Sequence, residues 1–560
     1  MNLFINHSDT KRRRVVSTAI VCSLMAVLPS CRTPALRGPD AAANLPDTFN
    51  GVSSPDNSAH ASIEEFFPDP LLINLIHQGL SGNQQLKILG EDIQIANNEI
   101  LKRRGAYIPF VSIGGRSSVE KPSLYTPLGA VDEQLYAPNG HHFPTPLPNF
   151  LMAADLSWQV DIWRQLRNAR DAANLRYLGT IDGRNYVVTR LVAEIAENYY
   201  NLQALDRTLE NLDRIIALQE ESLEKAEAKK EFALGNDLAV QRFRAEVRKN
   251  QSQKLIVKQQ IIEGENKINF LSGRFPQTVD RSTEFYNLTL PPLALGFPSD
   301  MLLNRPDIRQ AEHNLEAAGL DVLVAKANFY PKVTISAGVG YEAFNAKYLI
   351  RTPESLIYGV AGDIVAPLIN KRAIRADYMT ANARQLQAVY DYQRTVLNAF
   401  TEVINRVNKV HNYSESLEIK KQQLDALEKS VERATDLFVN ARVDYIDVLL
   451  AQRDLNDARL VFIDTKKEQL SAIVNTYQAL GGGLISFEYP DGNYAPSGPL
   501  PPANFEPQPA GILVPPAGEQ LPALPDQLPP APQEAPPEAK KVPAEPQAAP
   551  PEPQQSGENN

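Results

Sequence analysis

Cysteine is nearly missing from this chain of 560 residues: Cys22 and Cys31 are the only two, and both lie near the N-terminus. No disulfide framework can hold such a fold, so packing must. Long apolar runs are missing too. Beyond Val15–Val27, nothing approaches the ~20 apolar residues a membrane-spanning helix needs. Any membrane crossing must therefore be made with strands. Positive charge is in deficit, with 56 Lys and Arg against 66 Asp and Glu and a formal net charge of −10. That balance argues against a nucleic-acid partner. His-Glu-x-x-His, Gly-x-Ser-x-Gly and Gly-Lys phosphate loops are absent. No catalytic residue, metal site or cofactor is expected, and His141-His142 is read as a solvated loop pair.

What is present begins with a targeting segment. Lys11-Arg12-Arg13-Arg14 is a basic n-region, Val15–Val27 an apolar core, and Leu28-Pro29-Ser30-Cys31 its end. A small residue before Cys31 and a polar stretch after it resemble a bacterial lipobox, so cleavage would leave Cys31 as a diacylglycerol-bearing first residue. The alternative is an ordinary signal peptide; Cys22, preceded by Val21, is the weaker candidate. Removing the first thirty residues takes away four basic and one acidic side chain, shifting the charge from −10 by −3 to −13.

Two heptad patterns dominate the rest. Leu417, Leu424, Val431 and Phe438 step by seven, with Leu427 and Ala434 beside them, before a turn near Asn440–Asp444. Ile195, Leu202, Leu209, Ile216 and Leu223 do the same about 210 residues upstream, ahead of a turn at Glu231–Asn236. This is coiled-coil periodicity, and helices of this length extend ~60–100 Å at 1.5 Å per residue. Pro109 and Pro331 are 222 apart, as are Ala96 and Ala318, while Asn269 and Gln478 are 209 apart. Such steady spacing marks a duplicated domain.

The expected organisation is a signal peptide at 1–30, a lipid-anchored polar linker at 31–69, repeat one at 70–276, a linker at 277–298, repeat two at 299–484 and a disordered Pro-rich tail at 485–560. Alternating patterns predict strands at about 107–120, 150–162, 332–342 and 356–368, with a polar loop over 121–149. Long hairpins are expected at 163–271 and 371–480, with Asn304 as an N-cap before Pro306 and Ser299-Asp300 capping a short helix. Four strands of ~10 residues suit a membrane-barrel wall but cannot close one alone. Either they form a small soluble sheet, or several chains pool them.

Several stretches resemble the outer-membrane efflux proteins (TolC-like), specifically their lipoprotein branch. They are Phe66-Phe67-Pro68-Asp69-Pro70-Leu71, the run Phe297–Ile308 reading FPSDMLLNRPDI, Glu312-His313-Asn314-Leu315, Ala325–Pro331 reading AKANFYP, and Tyr477–Gly483 reading YQALGGG. The resemblance covers about Phe66–Gly483. It implies a mostly α fold with a β-barrel part: a homotrimer whose four strands per chain form one twelve-stranded barrel above a periplasmic α-barrel tunnel. It also implies a periplasmic adaptor (membrane fusion) protein, an inner-membrane transporter of the resistance-nodulation-division type, contact with outer-membrane lipid, and small-molecule export. An exit duct for type I protein secretion, and a lipid-anchored coiled-coil scaffold without a pore, stand as alternatives.

The resemblance places a periplasmic gate at the second hairpin tip. Asp447 matches a family acidic position, while the second such position is Leu450, so a mixed gate of Asp447 with Ile446 and Leu450 is expected. The competing readings are a solvated helix-start aspartate for Asp447 and a coiled-coil core residue for Leu450. Adaptor contacts would fall on Leu234, Gly235, Asn236, Ala441 and Arg442, although the Val-Gly turn common among relatives is altered at both tips.

Overall fold

None of the chain's 43 prolines falls inside four long stretches rich in apolar heptads, and each of those stretches is one uninterrupted helix. The computed structural model describes residues 34–38, 45–51, 53–138, 140–232, 237–367, 369–440 and 442–483. The segments read as signal peptide and Pro-rich tail, together with Cys31, Leu234, Gly235, Asn236 and Ala441, lie outside the described residues.

In chain order the elements are α1 (Ile63–Phe66), α2 (Pro70–Gly82), α3 (Gln84–Ala106), β1 (Phe110–Glu120), α4 (Pro127–Gln134), β2 (Leu147–Val160), α5 (Gln165–Glu231) and α6 (Asp237–Leu271). The second half adds α7 (Asp300–Asn304), α8 (Pro306–Ala327), β3 (Lys332–Ala343), β4 (Leu356–Val365), α9 (Arg372–Val439) and α10 (Tyr445–Leu480). Helix α5 is the hub, packing against α2, α3, α6, α8 and α10, whereas α9 packs against α8 and α10. The heptad residues do what their period requires: Ile195, Leu202, Leu212, Val431 and Phe438 are buried along these seams.

The main core forms where α1 and α2 meet α5 and α10. Tyr477 stacks on Phe66 at 3.9 Å between ring centroids and donates its hydroxyl to the Ala61 carbonyl at 2.6 Å. The glycine run reflects this ring. Gly481 ends α10 in the left-handed region (φ 101°), and a side chain at Gly482 would occupy the Tyr477 ring. Asp69 caps α2 through the Leu71 N–H (2.9 Å) and accepts the Tyr199 hydroxyl (2.5 Å). Arg305, 3 % exposed, donates to Asp307, Glu402 and the Ala479 carbonyl, tying α8, α9 and α10 together. On the crossover between halves, Arg281 clamps Asp206 of α5 and Glu265 of α6.

Several expectations are corrected. Strand β1 starts at Phe110 rather than Tyr107, because α3 runs to Ala106 and Pro109 has no N–H for a ladder. Strand β2 covers Leu147–Val160, not 150–162; Asp161 leaves it to accept the Leu166 and Arg167 N–H groups opening α5. Strand β4 stops at Val365, just before Pro367. The loop after β1 contains α4, with Thr126 as N-cap and Pro127 at the first position. Asn304 is the last residue of α7, not an N-cap. Pro306 holds the residue before it extended, so Arg305 takes the cap position. Ser299 makes no side-chain cap bond; Asp300 instead accepts the Phe297 N–H at 2.9 Å.

Candidate functional site

The four strands form one antiparallel sheet in the order β1-β2-β3-β4. Their register aligns residue types across the whole sheet. Val111 pairs with Leu156, Leu156 with Ala337, and Ala337 with Val360; two residues along, Ile113, Ala154, Val339 and Tyr358 form the next row. Since side chains alternate between faces, these rows share one face, and it is apolar from edge to edge. The opposite face carries Ser112, Asp155, Gly338 and Gly359 in one row and Arg116, Leu151 and Glu342 in another. Among the described residues no helix packs across either face. Ile113 is 77 % exposed and Val360 82 %. A sheet with one bare apolar face and one polar face has no core to cover; lipid is the medium that satisfies it. Helices offer no alternative route, since no described helix is long and apolar enough to cross a membrane.

Aromatic side chains bracket the apolar band. At the helix end Trp163 stacks on Tyr330 at 4.7 Å and donates to the Pro331 carbonyl (2.8 Å), while the Trp158 indole donates to the Tyr107 carbonyl (3.0 Å). At the far end Phe143, Phe344 and Tyr348 cluster at 5.0 and 5.5 Å. Aromatic belts of this kind mark both interfaces of a bilayer. His142, on the same far-end loop, lies against Tyr136 at 4.1 Å.

At the other extremity the two hairpins meet. Phe243 of α6, fully buried, contacts Tyr445 at 6.4 Å, and Leu449 joins that cluster with Ala226 and Val240. Lys229 donates to the Phe438 carbonyl at 2.7 Å and sits 3.6 Å from the centre of its ring, pinning the end of α5 to the end of α9. Further from the tip, Gln452 donates to Ser222 (2.9 Å) and Asn211 to Asn456 (2.8 Å), both pairs buried. Sequence reasoning missed these links. Their signal is polar Gln452 and Asn456 interrupting the apolar face between Val448 and Ile463.

The structure separates the gate candidates. Val448 (1 % exposed) faces the protomer core, Ile446 is half-buried, and Asp447 and Leu450 are exposed. Asp447 and Leu450 are one helical step apart, so they share the open side of the first turns of α10. Leu450 is therefore not a core residue within this chain. Arg442 is exposed, with its N–H on the Leu437 carbonyl at 2.9 Å.

A two-faced strand set mounted on long helical hairpins defines a class: channel proteins that cross an outer membrane with strands and reach inward with helices. Residues 75–274 and 297–482 match the family model "Outer membrane efflux protein". The chain belongs to the outer membrane efflux protein family, and it is an outer-membrane efflux channel extending into the periplasm. Its relatives include the "Solvent efflux pump outer membrane protein SrpC" of Pseudomonas putida, 25% identical over 75% of this chain and 87% of that one. The "Cation efflux system protein CusC" of Escherichia coli K12 is 26% identical over 82% of this chain and 99% of that protein. Among solved structures, the Campylobacter jejuni CmeC outer membrane channel superimposes with a TM-score of 0.71 at 18% identity, covering 81% and 95% of the two chains.

Proposed function

We propose that three copies of this chain close one twelve-stranded barrel and continue as a tunnel of six hairpins, forming the exit duct of a tripartite efflux pump. An inner-membrane transporter of the resistance-nodulation-division type and a periplasmic adaptor would load it with small molecules. The reading assigns the chain no reaction. The observation that carries it is the sheet: β1 and β4 each leave an unpaired edge beside a continuous apolar face. Open edges are not tolerated in hydrocarbon, whereas edge joined to edge around a ring removes them.

The helices support the same closure. In the lower layer α6 and α9 are the edges; in the upper layer they are α3 and α9. Each edge helix exposes an apolar pair at heptad spacing: Ile88 and Ile95 on α3, Leu255 and Ile262 on α6, Tyr390 and Leu397 on α9. Such half-seams await a partner helix.

We further assign Cys31 as the lipid-bearing residue. Leu36, five residues on, packs beside Val322, Phe329 and Tyr378 just below the sheet. Five residues reach at most about 17 Å, a span that supports the anchor reading. Asp447 and Leu450, with Ile446 behind them, are the proposed gate. Three carboxylates around an axis attract cations, and apolar rings resist wetting. The two hairpin tips, including Leu234, Gly235, Asn236, Ala441 and Arg442, are the proposed adaptor contacts.

Planar-bilayer recording tests the duct and the gate. Wild-type protein should conduct, and Asp447→Ala should change cation selectivity or cation block. A protein that passes no ions is a scaffold; an unchanged cation profile in the variant removes Asp447 from the gate.

A further inference from the structure

The chain passes between sheet and helices four times, at 101–110, 160–171, 326–332 and 366–377. These crossings hold eleven lysines and arginines against three acids, in a protein whose net charge is −10. The two connections at the opposite end of the sheet, 121–146 and 344–355, hold three against three. Basic charge is therefore concentrated at one membrane boundary.

Much of that charge is not spent inside the protein. Arg167 is paired with Asp161, Arg170 with Asp171, and Arg103 with Glu99. Among the described residues, Arg104, Lys326, Lys332, Arg372 and Arg375 have no carboxylate within ion-pair distance; Lys332, Arg372 and Arg375 are exposed, and Arg104 and Lys326 half-exposed. They stand beside the Trp163–Tyr330 stack and the anchored Trp158, the aromatic belt that fixes where the headgroups lie.

We infer that this collar binds the anionic headgroups of phospholipids in the periplasmic leaflet, setting the depth of the barrel. Continuity and charge identify the occupant. The apolar face of the sheet ends at the aromatic belt, and the next layer outward from hydrocarbon is that of the lipid phosphates. The inference rests on the sheet crossing the membrane as proposed above. Each basic side chain near an anionic surface contributes about a fivefold factor in association, so several acting together give a preference well above one.

Full-length protein, reconstituted in bilayers, is probed by electron spin resonance with spin-labelled phosphatidylglycerol or phosphatidylcholine. At low salt the wild type should hold phosphatidylglycerol at least fivefold more strongly, and high salt should reduce that ratio. Arg104→Gln/Lys332→Gln/Arg372→Gln/Arg375→Gln should bring it close to one. Lys121→Gln/Lys347→Gln/Arg351→Gln, at the far end, should leave it intact, as should Arg104→Lys/Arg372→Lys/Arg375→Lys. Equal association of both lipids with the wild type overturns the collar, as does a preference that survives the fourfold glutamine change. Conductance of the same samples separates the two readings: channels that conduct without lipid preference refute the collar alone, whereas protein that conducts nothing refutes the duct.

Discussion

Helices α5 and α9 occupy equivalent places in the two halves and differ by one residue in length, 67 against 68. Yet 24 residues of α5 are buried and only 9 of α9, because α5 has neighbours on both flanks and α9 on one. Both helices carry the same heptad logic; the number of neighbouring helices decides how much of it is satisfied within one chain. The saturated helix stabilises the protomer. The unsaturated one, with its bare Tyr390–Leu397 seam, fits the proposed assembly, and the sheet repeats the contrast with a paired interior and two open edges.

The sharpest way to break this comparison is to charge the bare seam. Tyr390→Glu with Leu397→Glu should abolish the trimer while leaving helix content and protomer stability near wild type, by circular dichroism and size-exclusion with light scattering. Intact trimers would mean that α9 is not an assembly edge. The matching change on the saturated helix should act in the opposite way. Ile195→Ala removes a side chain with no exposed surface and should cost about 2–5 kcal/mol of protomer stability in denaturant titration. A cost near zero would contradict the hub role of α5.

Two smaller effects refine it. Lys229→Met deletes the bond and ring contact that link the ends of α5 and α9, worth about 1 kcal/mol. It should raise the open fraction of single channels several-fold, and an unchanged open fraction would show that the tip is held elsewhere. On the α5–α8 seam, burial raises the pKa of Asp182 above the ordinary carboxylate range, opposed by Arg309 at 3.2 Å and His313 at 3.3 Å. The folded state then holds this proton more tightly than the unfolded one. Its contribution is fully present below the unfolded pKa of about 3.9 and is lost as pH rises through the raised folded value. Asp182→Asn should flatten the part of the stability profile that falls as pH rises above about 4; an unaltered slope would exclude Asp182 as its source.

The sequence made the long elements legible because their signals are repeated: seven-residue steps over about six to eight turns, strand alternation, and glycines or prolines at the ends. Its errors lie where one local bond outweighs the pattern. Asp161 left β2 to cap α5, and Arg305 displaced Asn304 because a proline governs its predecessor. Thr126-Pro127 was a readable helix start inside a segment whose composition suggested only loop. At the tip, Asp447 and Leu450 could be named only from the family resemblance, and their shared open side emerged with the fold. The Lys229–Phe438 link joins residues 209 apart and left no periodic trace.

The central claim is that one chain supplies a third of a closed channel. Native mass spectrometry of protein extracted from membranes in mild detergent tests it most directly. The account predicts a trimer in which each chain begins at Cys31 and is heavier by its acyl groups. A lipid-free monomer or dimer would contradict it, leaving four strands with no barrel to close.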